Sequence, residues 1–154
     1  MEKTITRTYT IEPRAHLARA HLAGADLKGE DLEEANLMGA SLEGADLSIA
    51  DLTRADLAGA RLMNVNLEEA YLKNAYLGDA DLSNANLEGA YLENALLWDA
   101  NLEGANLEGA CLWNARLFGA NLTEACFERT ELERMIIDDG EGNEYILAGK
   151  NDPR

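Results

Sequence analysis

The sequence predicts an all-β solenoid, and three observations carry that expectation. Leucine stands at position 17 and at every fifth position to 122, 22 times without an insertion or skip. Phe127, Leu132 and Ile137 continue the phase, giving 25 five-residue units over residues 15–139. Alanine fills the place two before the central residue in 21 of the 25 units, the exceptions being Glu30, Val65, Thr130 and Met135. The place two after it holds nine Gly, five Asn (Asn64, Asn74, Asn84, Asn94, Asn114) and three Asp (Asp79, Asp99, Asp139).

A period of five suits neither common element. On an α-helix each step of five turns by about 500°, so successive leucines drift by about 140° and spread around the circumference. On a strand an odd period sends successive leucines to opposite faces. Every leucine meets the same environment only if five residues form one side of a repeating polygon, with Ala and Leu inside and the other three residues outside. The corner of such a coil calls for a positive φ angle, which Gly, Asn and Asp adopt at least cost.

Units such as Ala45-Asp46-Leu47-Ser48-Ile49 and Ala105-Asn106-Leu107-Glu108-Gly109 closely resemble the pentapeptide-repeat family, whose consensus is A(D/N)LxX, and the resemblance covers about 125 of the 154 residues. It implies a right-handed quadrilateral β-helix with four units to a coil. The 25 units then make about six coils, a rod about 30 Å long at the usual strand spacing. It also implies a range of roles. Some members resemble B-form DNA, protect DNA gyrase from quinolones, and dimerise through their carboxyl ends. This chain departs from them in having leucine rather than phenylalanine at the centre, no projecting loop and no clear carboxyl-terminal dimerising helix.

Taken in order, residues 1–14 are expected to form a capping segment, 15–139 the β-helix and 140–154 a carboxyl-terminal cap and tail. An open solenoid exposes strand edges and core leucines at its ends, so both ends need cover. Thr4 through Ile11 alternates threonine with Ile5, Arg7, Tyr9 and Ile11, a strand pattern expected to cover the first coil. Ile136 and Ile137, a turn around Asp139 to Asn143, and then Tyr145, Ile146 and Leu147 read as a hairpin.

Charge narrows the function. Lys plus Arg is 13 and Asp plus Glu 29, for a net charge of −16. Nucleic acid and anionic membranes both require a basic surface, so direct binding to either is not expected. At 47% hydrophobic residues the chain is too apolar for a disordered acidic tail. Its start lacks a secretory h-region and no apolar run reaches membrane-spanning length, so a cytoplasmic protein is expected. Cys111 and Cys126 read as reduced thiols. The repeats hold 8 basic and 24 acidic residues and the tails 5 of each, so the whole imbalance lies on the rod. That is about one net charge per 1.9 Å of axis, against about 1.7 Å in duplex DNA.

With twenty residues to a coil, the units sort into four faces. The first (Leu17 to Ile137) and second (Leu22 to Leu122) carry net −3 each, the third (Leu27 to Phe127) and fourth (Leu32 to Leu132) net −5 each. The third presents an acidic column, Glu68, Glu88, Glu108 and Glu128, preceded by Asp26, Asp46, Asn66, Asn86 and Asn106. This is either a solvated face or a partner surface. Where the fourth and first faces meet, outward places become aromatic or apolar: Tyr71, Tyr91 and Trp113 on the fourth, Tyr76, Leu96, Trp98 and Phe118 on the first. Either these side chains shield one another in a ladder, or they form a homodimer or partner contact.

Other chemistry is set aside. His16 and His21 point outward from neighbouring faces without a third zinc ligand. Asp139, Glu141 and Asn143 echo a calcium loop that fails at Glu144 and Lys150. Cys111 and Cys126 lie on adjacent faces in different coils, unsuited to a disulfide. Glu30 is the single charge at an inward place, attributed to the rod's end. No catalytic set, cofactor or metal site or substrate cavity is expected. The sequence therefore reads as a non-catalytic protein-binding scaffold. The alternatives are a DNA mimic binding a type II topoisomerase and a purely structural or designed repeat protein.

Overall fold

The computed structural model describes residues 8–138, 141 and 143–147. Each turn of the chain takes twenty residues and has four sides. Four lines of parallel pairing run along it, each joining the residue before a central leucine to its equivalent twenty later. The first face runs from His16↔Asn36 to Arg116↔Ile136, the fourth from Asp31↔Asp51 to Cys111↔Glu131. The fold is thus of the β-helix type, as the period of five requires.

One unit shows how the backbone is satisfied, which is what lets so short a side repeat. In 45–49, the Ala45 N–H closes the preceding turn on the Leu42 carbonyl (3.0 Å), the Asp46 N–H reaches Ala25 one coil back (2.9 Å), and those of Leu47 and Ile49 reach Asn66 and Glu68 one coil ahead (2.8 and 2.9 Å). The fifth N–H, from Ser48, goes to Oδ1 of Asp46 in the same unit, at 3.0 Å. No strand longer than a single pairing is needed, because the chain turns at every fifth residue.

The corner is built as the sequence implies. Every place two after a central residue, from Arg19 to Arg134, has positive φ. Arg14 does too, and Ala15 N–H bonds Glu12 O at 3.1 Å, so the repeat's turn is already made one unit before its first leucine. Some occupants are poorly suited: Ile49 is β-branched yet sits at φ 53°, with its side chain exposed over Gly29. Ile49→Asn is expected to raise stability by about 1 kcal/mol by relieving left-handed strain. A urea midpoint equal to or below that of the parent contradicts this.

Inside, Ala and Leu fill the coil completely, and every central leucine from Leu32 to Leu112 is at most 1% exposed. Burying each stabilises by about 1.5–3 kcal/mol. Glu30, expected inward, is exposed. Its carbonyl accepts the Asp51 N–H at 3.0 Å, so the backbone keeps register while the carboxylate turns to water, where it avoids desolvation.

The ends differ from expectation in part. Residues 8–11 form no strand, and Thr4 to Arg7 of the expected strand lie outside the described residues. Instead Tyr9 and Ile11 pack on the core, and the Tyr9 hydroxyl accepts the His21 N–H at 3.0 Å. In later coils that N–H bonds to the coil before; the hydroxyl replaces the coil the first one lacks. At the other end β1 (Ile136–Asp138) pairs antiparallel with β2 (Glu144–Ile146), Ile137 opposite Tyr145. The hairpin is present, its turn residues Asp139, Gly140 and Gly142 lying outside the described residues. It buries Met135 and draws Leu147 onto the core, while Leu122, Phe127 and Leu132 remain partly buried.

Candidate partner-binding surface

The residue before each central leucine decides what the outer surface can do. Twelve of these places hold Asp or Asn, and in all twelve the side chain's Oδ1 accepts the backbone N–H two residues on. The sequence reading placed these side chains simply outward. They fold back instead, because a turn N–H with no backbone carbonyl in reach is satisfied locally by the Asx side chain. Many also bond along the axis. Asn66 Nδ2 donates to Asp46 Oδ1 (3.1 Å), Asn86 to Asn66 (3.1 Å) and Asn106 to Asn86 (3.3 Å). The second face repeats this through Asn101 to Asp81 and Asn121 to Asn101. The signal for these ladders was present as Asn and Asp recurring at a stride of twenty.

This changes the meaning of the acidic surface. Asp26 and Asp46 are turn acceptors for the Lys28 and Ser48 N–H groups rather than free charges. The Ser48 N–H foremost, with Asn66 and Lys28, holds the Asp46 carboxyl below the ordinary Asp range. A lowered folded-state value adds stability above the ordinary titration, lost as pH falls through the lowered value. Asp46→Asn keeps the acceptor and removes that titration. Its urea midpoint should fall less than the parent's between about pH 7 and about pH 3; equal losses refute the assignment. Glu68, Glu88 and Glu128 are exposed, Glu108 pairs with Arg129 at 3.3 Å, and Glu68, Glu88, Glu108 and Arg129 line a shallow cleft of about 180 Å³.

The aromatic seam breaks the pattern. From Tyr71 onward the fourth and first faces carry Tyr71, Tyr76, Tyr91, Leu96, Cys111, Arg116, Glu131 and Ile136 at this place, none an Asp or Asn. Over the same coils the second and third faces keep Asp81, Asn86, Asn101, Asn106 and Asn121 and lose the acceptor at Cys126. Tyr71 and Tyr91 stack, centroids 5.1 Å apart and planes 7° apart. Among the described residues no other ring pair does, and stacked or not the rings stay open to solvent: Tyr71 is 44% exposed, Tyr76 52%, Trp98 44% and Trp113 41%. Leu96 and Phe118 are half-buried between them. Lys73 Nζ lies 2.8 Å from Glu93 Oε1 and 5.8 Å from the Tyr91 ring centre, and the Glu93 carboxylate raises the lysine's pKa. Cys111 and Cys126 are free and half-buried. Burial pushes the Cys111 thiol's pKa up, keeping it protonated.

Comparison with known proteins agrees with this architecture. The family described as pentapeptide repeats matches in eight copies, over residues 15–54, 50–89, 60–99, 85–123 and 100–134. Among solved structures the chain is similar to HetL, a pentapeptide repeat protein involved in heterocyst differentiation regulation from the cyanobacterium Nostoc sp. strain PCC 7120. The identity is 39% and the TM-score 0.53, over 82% of this chain and 65% of that one. It is also similar to Rfr23, a pentapeptide repeat protein from the cyanobacterium Cyanothece 51142, at 42% identity and TM-score 0.47 over 65% of this chain and 61% of that one. A trypsin-treated form of QnrB1, a plasmid-mediated fluoroquinolone resistance protein, shares the fold at 21% identity and TM-score 0.53, over 73% and 67% of the two chains. The chain thus spans a little under two thirds of HetL and of Rfr23. No functionally curated protein matches. Among the described residues, no helix is long and apolar enough to cross a membrane.

Proposed function

Because this chain belongs to the pentapeptide-repeat family, we propose that it is a non-catalytic, cytoplasmic protein-binding scaffold that presents its aromatic seam to a protein partner or a second copy. In this reading it is a right-handed quadrilateral rod of about six coils, covered at both ends. One observation carries the reading: from Tyr71 onward the seam faces hold no Asp or Asn at the place that satisfies a backbone N–H in other units, and at Tyr71, Tyr76 and Tyr91 put an exposed ring there, with Trp98 and Trp113 exposed beside them. Local rules broken without a folding gain mark places selected for something other than stability. A purely structural or regularised repeat would keep the acceptor throughout. HetL's involvement in a regulatory process fits an interaction protein.

The trade can be reversed in one substitution. Tyr76→Asn restores an acceptor for the Gly78 N–H and places an amide over Asp56, as Asn66 lies over Asp46. It should stabilise the chain by about 1 kcal/mol, raising Tm by about 2–4 °C, while weakening partner capture. The reading is tested with the parent and Trp98→Glu as baits in source-cell extract, beside sedimentation of both. A partner or dimer lost in the variant supports it; equal recovery and an unchanged mass reject it.

The charge density of the rod favours a second reading, a DNA mimic that engages a type II topoisomerase. Sixteen net negative charges lie on the repeats, close to duplex spacing, and QnrB1 is a fluoroquinolone resistance protein of the same fold. Inhibition or quinolone protection in a gyrase supercoiling gel supports it; neither effect at saturating protein rejects it.

A further inference from the structure

Resting on the seam reading, we propose that the seam's partner is a protein segment carrying arginine side chains, whose guanidinium groups stack on the rings and pair with the carboxylates between them. Charge complementarity argues this first. The chain is −16, so a second copy brings the same sign to the contact, as would nucleic acid or an anionic lipid surface. A cationic segment reverses it.

The seam already holds one cation of its own. Lys73 places its ammonium 2.8 Å from Glu93 and 5.8 Å from the Tyr91 ring centre, the combination of carboxylate and ring face that a cation favours. That pair uses one Glu93 oxygen and the other is buried, so the carboxylates open to a partner are the exposed Glu69 and Glu131. Beside Tyr91 opens a cleft of about 320 Å³ walled by Glu69, Glu93 and Glu131, and its lining contains no basic residue. Its floor passes Gly89 and Gly109, whose missing side chains leave room at the corner between the third and fourth faces. Trp113, exposed, follows Glu93 in the same column one coil further on. Arginine fits better than lysine because a planar guanidinium can stack on a ring and donate to a carboxylate at once.

The experiment titrates the full chain with a short peptide of alternating arginine and serine, read by tryptophan fluorescence and calorimetry. Matched peptides carry citrulline, lysine or glutamate in place of arginine. The arginine peptide should bind about tenfold tighter than the citrulline one, with lysine between and glutamate absent. Binding should weaken with salt. Trp113→Ala, Tyr91→Ala and Glu131→Gln should each lower affinity with Tm little changed, while the third-face pair Glu68→Gln and Glu88→Gln should leave it unaltered. Equal binding of the arginine and citrulline peptides, or loss with the third-face pair alone, overturns the proposal. The two readings separate in the bait experiment. A seam-dependent partner or dimer that the arginine peptide fails to displace keeps the seam and overturns the arginine assignment. No seam-dependent partner or dimer overturns both.

Discussion

Replacing Leu72 with alanine should lower stability by about 3–4 kcal/mol, and the same change at Leu122 by about 1 kcal/mol. Leu72 is fully buried, stacked in its column between Leu52 and Leu92, which are equally buried. A truncation there removes the transfer energy of three carbons and leaves a void that backbone bonds above and below prevent from collapsing. The flanking turns are held by Leu72 N–H to Tyr91 O at 2.7 Å and Leu52 N–H to Tyr71 O at 2.8 Å. Leu122 lies in the last full coil, only partly buried, so less surface returns to water and solvent fills the gap. The difference is specific to a solenoid, in which each coil is stabilised by its neighbours and the terminal coil has one fewer. Urea unfolding of both variants checks it. Equal losses would mean the end is covered as completely as the middle.

Asn86→Ala should cost about 2–3 kcal/mol although the side chain lies on the outer surface. Asn86 donates to Asn66 Oδ1 at 3.1 Å, and its own Oδ1 accepts from Asn106 Nδ2 and from the Glu88 N–H, each at 3.3 Å. Truncation therefore leaves a backbone donor and two amide groups short of a partner. The ladder also has a direction. Each Asn donates to the coil before it, and the run of side-chain bonds ends on Asp46, which needs only to accept. A carboxylate at position 86 would keep both acceptor roles and lose the donor, facing the Asn66 oxygen with no proton between them. Asn86→Asp should accordingly fall between the parent and Asn86→Ala at neutral pH. Thermal unfolding of the three chains decides; an alanine variant within about 0.5 kcal/mol of the parent would show the ladder to be incidental.

The fold was legible because its signal is redundant. Leu17 to Leu122 at one spacing, Ala two places earlier and Gly or Asn two places later each demand the same five-residue side, and the corners carry the positive φ that the last column predicts. What misled was treating polar side chains as outward by default. Asp46 and Asn66 look alike as solvated surface whichever way they point, and their roles depend on χ angles and on a partner twenty residues away. Residues 8–11 misled for a related reason: alternation suggested a strand there, whereas Tyr9 acts through one hydroxyl on the His21 N–H. Glu30 sat in the inward column by count, but an end residue can swing to water at little cost in packing.

By itself the sequence determined that this chain winds in sides of five, which side chains share a column, and that its acidity belongs to the rod, because a strict period leaves the backbone one way to bury every leucine. Only the tertiary structure decided which polar groups are spent holding turns and coils together and which rings are left uncovered. Column membership follows from counting. Whether Tyr71 stacks on Tyr91 while Trp98 and Trp113 stack on no ring among the described residues depends on rotamers and distances that no period encodes.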